Sequence, residues 1–151
     1  RENNFGGLAL ASFDVGEDVP VVTIDSFNLQ RCSFIKLDVE GMETDVLRGA
    51  ARTIERFKPV LYVENDKREK AEELVRHIDS IGYNMYWHLP YYFSPHNFFG
   101  NTNNVFPNTV SINMICVHKS VPQNMNNFEQ VKVDQPQPAF MQLGPPQRPL
   151  G

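Results

Sequence analysis

The sequence predicts an α/β fold in which parallel strands alternate with helices and the last two strands pair antiparallel. Three observations predict it: short apolar and β-branched runs, two segments with helical periodicity between them, and glycine or proline at the junctions. Alternation of strands and helices favours right-handed crossovers and parallel pairing. With 151 residues and 41% hydrophobic content, the chain is expected to form one domain with its own core.

The first predicted strands lie in the N-terminal quarter of the chain. Residues 19–24 (VPVVTI) are β-branched, and we expect an edge strand there because Pro20 cannot donate a backbone hydrogen bond. Weak strand character also marks residues 8–13. Residues 33–38 (SFIKLD) predict the next strand, whose apolar composition is typical of a strand covered on both faces.

Two helices and a further strand follow. Apolar residues recur with helical period over residues 42–57, and Gly49 within that stretch indicates close packing against a neighbour. Residues 60–64 (VLYVE) predict a strand. A second amphipathic helix is expected over residues 66–81, with Asp66 as its cap.

The closing strands are predicted at residues 83–88 (YNMYWH) and 110–118 (VSINMICVH). The loop between them spans roughly 20 residues, a length that suggests a functional role in a compact domain. Beyond it, the C-terminal stretch holds six of the eleven prolines and no periodic pattern. We therefore expect residues 121–151 to be a Pro/Gln-rich disordered tail and residues 1–120 to be the folded domain.

Composition excludes several classes of protein. The net charge of −4 argues against a nucleic-acid partner, which requires clustered Lys and Arg. No apolar run is long enough to span a membrane, so we expect no membrane partner. Cys32 and Cys116 are isolated, which favours reduced thiols and a cytoplasmic location. Because the first residue is Arg1 rather than Met, we expect a fragment of a longer protein.

Acidic residues follow two predicted parallel strands at the point where each strand ends. Asp38 ends one strand and Glu64 ends the next. Ligands of such sheets bind beyond the carboxyl ends of the strands, so both carboxyl groups are placed where a site would form. The alternative is that these acids cap helix N-termini, where the helix dipole favours negative charge.

The stretch IKLDVEGMETDVLRGAARTIERFKPVLYVEN, residues 35–65, resembles the FkbM family of S-adenosylmethionine-dependent methyltransferases. That family's signature combines an iKxDVEGxE block, a vLxGA helix and a P-x-hydrophobic-x-vE strand. The preceding VVTIDSF resembles the family's v-x-tlDxf segment, with Asp25 as its acid. The similarity covers roughly residues 5–118, and the central motifs are specific when taken together.

The resemblance implies the C-terminal half of a Rossmann-like class I methyltransferase sheet. Class I enzymes hold the cofactor with a glycine-rich loop after the first strand and an acid that ends the second, and this chain has neither. Residues 1–120 are therefore expected to form a partial domain without its N-terminal cofactor-binding half. The implied activity is methyl transfer from S-adenosylmethionine to a hydroxyl group on a small molecule or carbohydrate, and residues 1–151 alone are expected to be inactive.

The resemblance also suggests roles for individual residues. Asp38, Glu40 and Gly41 are expected near the cofactor, and Asp38 and His88 are the candidate catalytic residues, with His88 as a base. The alternative for His88 is a structural role, which is the more common one for a lone histidine. Hard oxygen ligands from Asp38, Glu64 and Asn65 make a Mg²⁺ site conceivable. Glu43 is expected to serve the N-terminus of the following helix.

The long loop and the rival functions leave alternatives open. Aromatic residues interleaved with asparagines suit a sugar acceptor, but the same asparagines could merely form turns. A non-catalytic or degenerate methyltransferase-like binding module is the alternative function. A DxD-type phosphotransferase fits poorly, because Glu40 stands where the second aspartate should be.

Overall fold

A computed structural model describes residues 19–142, so the strand predicted at residues 8–13 lies outside the described part. Within that part, a sheet has the strand order β1-β2-β4-β3. Its strands are β1 Phe34–Leu37, β2 Val60–Glu64, β3 Tyr83–His88 and β4 Asn113–His118. The pair β1 and β2 is parallel, and β4 runs antiparallel to both β2 and β3. The predicted mixed α/β architecture is confirmed at this level.

Helices α1 Glu43–Arg48, α2 Ala51–Phe57 and α3 Ala71–Ser80 form the helical layer, with a 3₁₀ helix at Ile24–Phe27 and a short α4 at Ala139–Gln142. Strands β2 and β3 bury alternate residues, as expected for strands with one face on a core. The core joins this face to the helices through Leu47, Ile54, Leu61, Val63, Leu74, Val75, Ile78, Tyr83, Met85, Met114 and Cys116.

The helix predicted over residues 42–57 is divided into α1 and α2. The Asp25 carboxylate accepts hydrogen bonds from the backbone N–H groups of Arg52 and Thr53, both at 2.9 Å, and so caps a second helix start. Gly49 lies at the break, where an added Cβ would lie 3.4 Å from the Thr23 side chain, an ordinary van der Waals contact. The prediction of one continuous helix is therefore wrong, and the close packing expected at Gly49 stays a prediction.

The strand predicted at residues 19–24 is also wrong. Residues 19–23 have no regular structure, and Val21 and Val22 are exposed. The Asp25 N–H donates to the Gly49 carbonyl at 3.0 Å, which ties this segment to the helices instead of the sheet.

The second predicted helix begins five residues late. Asp66 pairs with the Lys67 ammonium at 2.8 Å and caps no helix, so α3 starts at Ala71. The Glu72–Arg76 pair that supports the helix surface is present at 2.9 Å.

The tail is ordered over residues 121–142, contrary to the prediction of disorder from residue 121. The Val131 N–H donates to the Met85 carbonyl and the Trp87 N–H donates to the Glu129 carbonyl, both at 2.9 Å. The Val131 side chain is only 4% exposed and joins the core. Burial of this side chain and the edge hydrogen bonds of β3 offset the entropy of ordering, so the domain extends beyond residue 120.

Strand β1 is covered less than its apolar sequence predicts. It pairs with β2 and with no other strand of residues 19–142. Phe34 is 57% exposed, so the expectation of a strand covered on both faces is wrong for the described part of the chain.

Two further findings concern the described chain as a whole. Among its helices, none combines the length and apolar character needed to cross a membrane. Cys32 and Cys116 are both free thiols, and Cys116 is buried.

Candidate active site

A pair of carboxyl groups lies at the carboxyl ends of the parallel strands. Leu37 and Val63 are register partners, so Asp38 and Glu64, the next residue of each strand, lie side by side. Their side chains interact, and this interaction lowers the pKa of Asp38 and raises the pKa of Glu64. Two carboxyl groups that interact in this way titrate as a pair.

The surroundings decide which group holds the proton. The Lys36 ammonium, 2.7 Å from Asp38 Oδ2, donates the hydrogen bond that holds the pKa of Asp38 below its usual value. Burial, followed by the negative charges of Asp66 and Asp38, raises the pKa of Glu64 to about 7. Asp38 is therefore the more acidic group of the pair and Glu64 the more basic one.

The turn after β1 is held by a buried carboxylate. Glu40 and Gly41 have φ angles of +53° and +93°, a backbone conformation that glycine adopts readily and glutamate rarely. Glu43 Oε1 accepts hydrogen bonds from the Val39 N–H at 3.2 Å and the Gly41 N–H at 3.1 Å. Glu43, the first residue of α1, is only 5% exposed. Its carboxylate thus serves the turn before the helix.

Two lysines from the segment before α3 close over the same turn. The Lys67 ammonium lies 2.8 Å from both Glu40 Oε2 and Asp66 Oδ2, and these hydrogen bonds raise its pKa. The Lys70 ammonium donates to the Gly41 carbonyl at 2.6 Å. These contacts fix the shape of the turn, while the cofactor contacts of Glu40 and Gly41 remain predictions.

His88 lies on the same lateral row of the sheet as Glu64. Glu64 and His88 are both register partners of Asn113, which places their side chains on one face. Two strand spacings separate their Cα atoms by about 10 Å. The Tyr62 hydroxyl lies 2.8 Å from His88 Nδ1. The structure thus brings His88 to the same end and face of the sheet as the carboxyl pair.

The Mg²⁺ site proposed at Asp38, Glu64 and Asn65 is not supported. The Asn65 amide is only 4% exposed, and its Nδ2 donates to the Pro136 carbonyl at 3.0 Å. Asn65 Oδ1 has no partner in residues 19–142, but burial closes it to an ion and its water ligands. No cluster of three or more His, Cys, Asp or Glu residues in the described range could hold a metal ion.

The asparagines of the long loop form turns. Asn97 Nδ2 donates to the carbonyls of Ser94 and Asn101 at 2.9 and 2.7 Å. Asn101 and Asn104 each accept a hydrogen bond from the backbone N–H two residues on. The turn-forming interpretation is confirmed for these three asparagines. The aromatic side chains of the loop are left exposed: Tyr91, Tyr92, Phe98, Phe99 and Phe106.

Sequence reasoning missed the contributions of Lys36 and Tyr62. These two residues are register partners in β1 and β2. Each lies two positions before an acid at its strand's end, Asp38 and Glu64, and side chains two positions apart share one face of a strand. The two-residue spacing between each of these side chains and the following acid is visible in the sequence. It places all four side chains together only once the pairing of β1 with β2 is known.

The sheet is that of a mixed α/β protein, with two interacting carboxyl groups at the carboxyl ends of adjacent parallel strands, the end at which such sheets commonly bind ligands. The family model described as the methyltransferase FkbM domain matches residues 2–85, more than half of the chain. The chain belongs to the FkbM methyltransferase family, and the resemblance drawn from its sequence is confirmed. Neither a comparison with curated proteins nor one with solved structures found a significant match.

Proposed function

We propose that this chain takes part in methyl transfer from S-adenosylmethionine to a hydroxyl group, with Glu64 as the base. The proposal rests on the Asp38–Glu64 carboxyl pair at the carboxyl ends of β1 and β2 in a chain of a methyltransferase family. The class I arrangement of the sheet is part of the same proposal, supported by the parallel pair and the antiparallel closing strands.

The charges at this end of the sheet fit the methyl donor. S-adenosylmethionine, when bound, supplies an electrophilic methyl group on a positively charged sulfonium. Asp38 remains ionised because of Lys36, and Glu40 lies in the turn that follows. These two carboxylates are the residues of this chain that would hold the cationic part of the donor.

Glu64 is better suited than Asp38 to accept the hydroxyl proton. A general base works best when its pKa is near the working pH, because it is then both ionised and sufficiently basic. Glu64, with a pKa of about 7, meets that condition, whereas the lowered pKa of Asp38 makes it a weaker base. The Glu64 carboxylate would accept the proton of the acceptor hydroxyl, and S-adenosylmethionine, when bound, would supply the methyl group through cleavage of its methyl–sulfur bond and leave as the neutral thioether.

The aromatic loop supports a small-molecule or glycan acceptor. It begins directly after His88 and leads into β4 at Asn113, so one of its ends lies beside Glu64 and the other lies one strand further along the same row. Phe98 and Phe99 are 95% and 91% exposed. Exposed rings offer the apolar faces on which the C–H surface of a sugar or a ring compound packs.

The test is Glu64→Gln in the full-length protein, with transfer from S-adenosylmethionine to cyclohexanol followed by mass spectrometry. We expect kcat to fall about 100-fold, the typical contribution of a general base. The parent's kcat should rise as pH increases through about 7, because ionised Glu64 is the active form, and the variant should lack that rise.

Glu55→Gln is the matched control, since Glu55 is an exposed acid on α2 away from the carboxyl pair. A Glu64→Gln variant as active as this control would refute the role of Glu64. A full-length parent that transfers no methyl group would favour the non-catalytic binding module.

A further inference from the structure

The segment that follows β2 is held by a strap from the C-terminal part of the chain, which we define as residues 128–141. The Asn65 side chain is buried, and its Nδ2 donates to the Pro136 carbonyl at 3.0 Å. Three residues further on, the Arg68 guanidinium donates to Gln137 Oε1 at 3.1 Å, and Gln137 Nε2 donates back to the Arg68 carbonyl at 3.4 Å. The strap therefore holds this segment at two points, one buried and one on the surface.

The same strap contacts the end of β3. The Trp87 N–H donates to the Glu129 carbonyl at 2.9 Å, and the Phe128 ring lies 6.2 Å from the His88 ring. His88 and Glu64 end their strands on one row of the sheet. The strap thus contacts the chain at His88 and at the residue next to Glu64, on both sides of that row.

Asn65 transmits the strap contact to Glu64 through a single peptide bond. The Asn65 N–H donates to the Ile112 carbonyl at 2.8 Å, so its backbone is tied to the chain before β4 while its side chain is tied to the strap. A buried amide that loses its partner is costly, and opening toward water relieves that cost. Loss of the strap contact would therefore open the end of β2, where Glu64 lies.

We propose that residues 128–141 are part of the functional site and that Asn65 is the positioning residue through which they act on Glu64. The inference rests on the proposed role of Glu64 as the base. It gives the strap the task of limiting the access of water to that carboxyl group, so a stretch without helix or strand periodicity contributes to the chemistry.

The electrostatic surroundings of Glu64 can be separated from the effect of the strap. Burial is the largest cause of the raised pKa of Glu64, and the charged groups that act on it are Asp66, Asp38 and Lys67. All three belong to the ends of β1 and β2 and not to the strap. A variant that removes only a strap contact keeps these charges, so a change in the pKa of Glu64 then reports a change in its burial.

The first test follows the Glu64 carboxyl carbon by ¹³C NMR of the 151-residue chain as pH is varied, with Glu64→Gln to assign the signal. Asn65→Leu keeps a similar side-chain volume and removes the donor to the strap. We expect a midpoint of about 7 in the parent and a midpoint displaced toward the ordinary value of 4.5 in Asn65→Leu, because water then reaches the carboxyl group. Asn127→Leu, at an exposed asparagine directly before the strap, is the matched control and should keep the parent midpoint.

Arg68→Ala is the second variant, because it breaks the surface contact with the strap and leaves the buried Asn65 in place. Removal of a positive charge by itself raises the pKa of a nearby carboxyl group, so a lower Glu64 midpoint identifies the loss of the strap contact. Arg76→Ala is its control, since Arg76 pairs with Glu72 on α3. An unchanged or higher Glu64 midpoint in either folded variant would overturn the proposal.

The second test measures kcat against pH in the full-length protein with cyclohexanol as the acceptor. Asn65→Leu and Arg68→Ala should move the rise in kcat to lower pH and lower its plateau about 10-fold, as for one lost hydrogen bond. A parent-like profile in both variants would contradict the proposal. Failure of the parent to methylate cyclohexanol would count against the proposed function, and the NMR midpoints would still decide the role of the strap.

Discussion

Two adjacent carboxyl groups have pKa values shifted in opposite directions because each has different neighbours. Asp38 is paired with Lys36, whereas Glu64 is partly buried and faces the negative charges of Asp66 and Asp38. One residue is kept as a fixed negative charge and the other as a group that exchanges protons near neutral pH. Such a division of roles between adjacent acids is typical of catalytic sites.

Asp38→Asn tests the fixed charge in the full-length protein. The change keeps the shape of the side chain and removes its charge, so we expect kcat to fall about 100-fold or more, as for a lost electrostatic contact. The midpoint of thermal unfolding should change little, because the Lys36–Asp38 ion pair is exposed on both sides and no core volume is altered. Activity within a factor of two of the parent would contradict a functional role for Asp38.

At the scale of elements, one side chain joins the 3₁₀ helix to the start of α2. Burial opposes ionisation of Asp25, yet hydrogen bonds from the Thr53 side chain and from the backbone of Arg52 and Thr53 lower its pKa. The Thr53 hydroxyl donates at 2.7 Å in addition to the two backbone bonds. In the sequence, Asp25 was noted only as the acid of a segment that resembles the family. In the structure its carboxylate caps the N-terminus of α2, which lies more than 20 residues further along the chain.

Asp25→Ala should lower the free energy of unfolding by about 1–2 kcal/mol, as measured by urea denaturation of the 151-residue chain at pH 7. Asp25→Asn keeps an acceptor oxygen and should lose less. Because the pKa of Asp25 is lowered in the folded state, its contribution is present above the ordinary value of 3.8 and is lost as pH falls through the folded-state pKa. An Asp25→Ala variant as stable as the parent at pH 7 would show that the cap contributes little.

Local pattern was sufficient for the strands of the sheet, although it also predicted a strand at residues 19–24 that does not form, and it was insufficient for the features that depend on distant contacts. Strands β1, β2 and β3 follow from apolar runs and their glycine and proline boundaries. The break between α1 and α2 depends on Asp25, and the ordered tail depends on Val131 bonding to Met85. No window of neighbouring residues contains either contact, so periodicity and composition predicted a continuous helix and a disordered tail.

The candidate site divides in the same way. Asp38 and Glu64 were predicted because any parallel pair brings the ends of its strands together. Tyr62 and His88 meet only because β4 lies between β2 and β3 in the sheet, an order that the strand patterns do not specify. The participation of Tyr62 therefore required the structure.

On the scale of the whole molecule, the described residues contain the Asp38–Glu64 pair but no glycine-rich loop of the kind with which class I methyltransferases hold the methyl donor. Residues 19–142 contain no glycine-rich strand–turn–helix, and β1 pairs on one side only. We expect the 151-residue chain alone to show no measurable binding of S-adenosylmethionine by isothermal titration calorimetry. The full-length protein is the positive control, and tight binding by the 151-residue chain would contradict this expectation.

The two lateral edges of the sheet differ in their capacity to accept another strand. Residues 129–131 occupy the outer side of β3 through the Trp87–Glu129 and Val131–Met85 hydrogen bonds, whereas the outer side of β1 is unpaired in the described chain. Within the described residues, a further strand could therefore pair with β1 but not with the part of β3 that residues 129–131 already occupy. Residues 129–131 thus protect the outer edge of β3 from pairing with another chain.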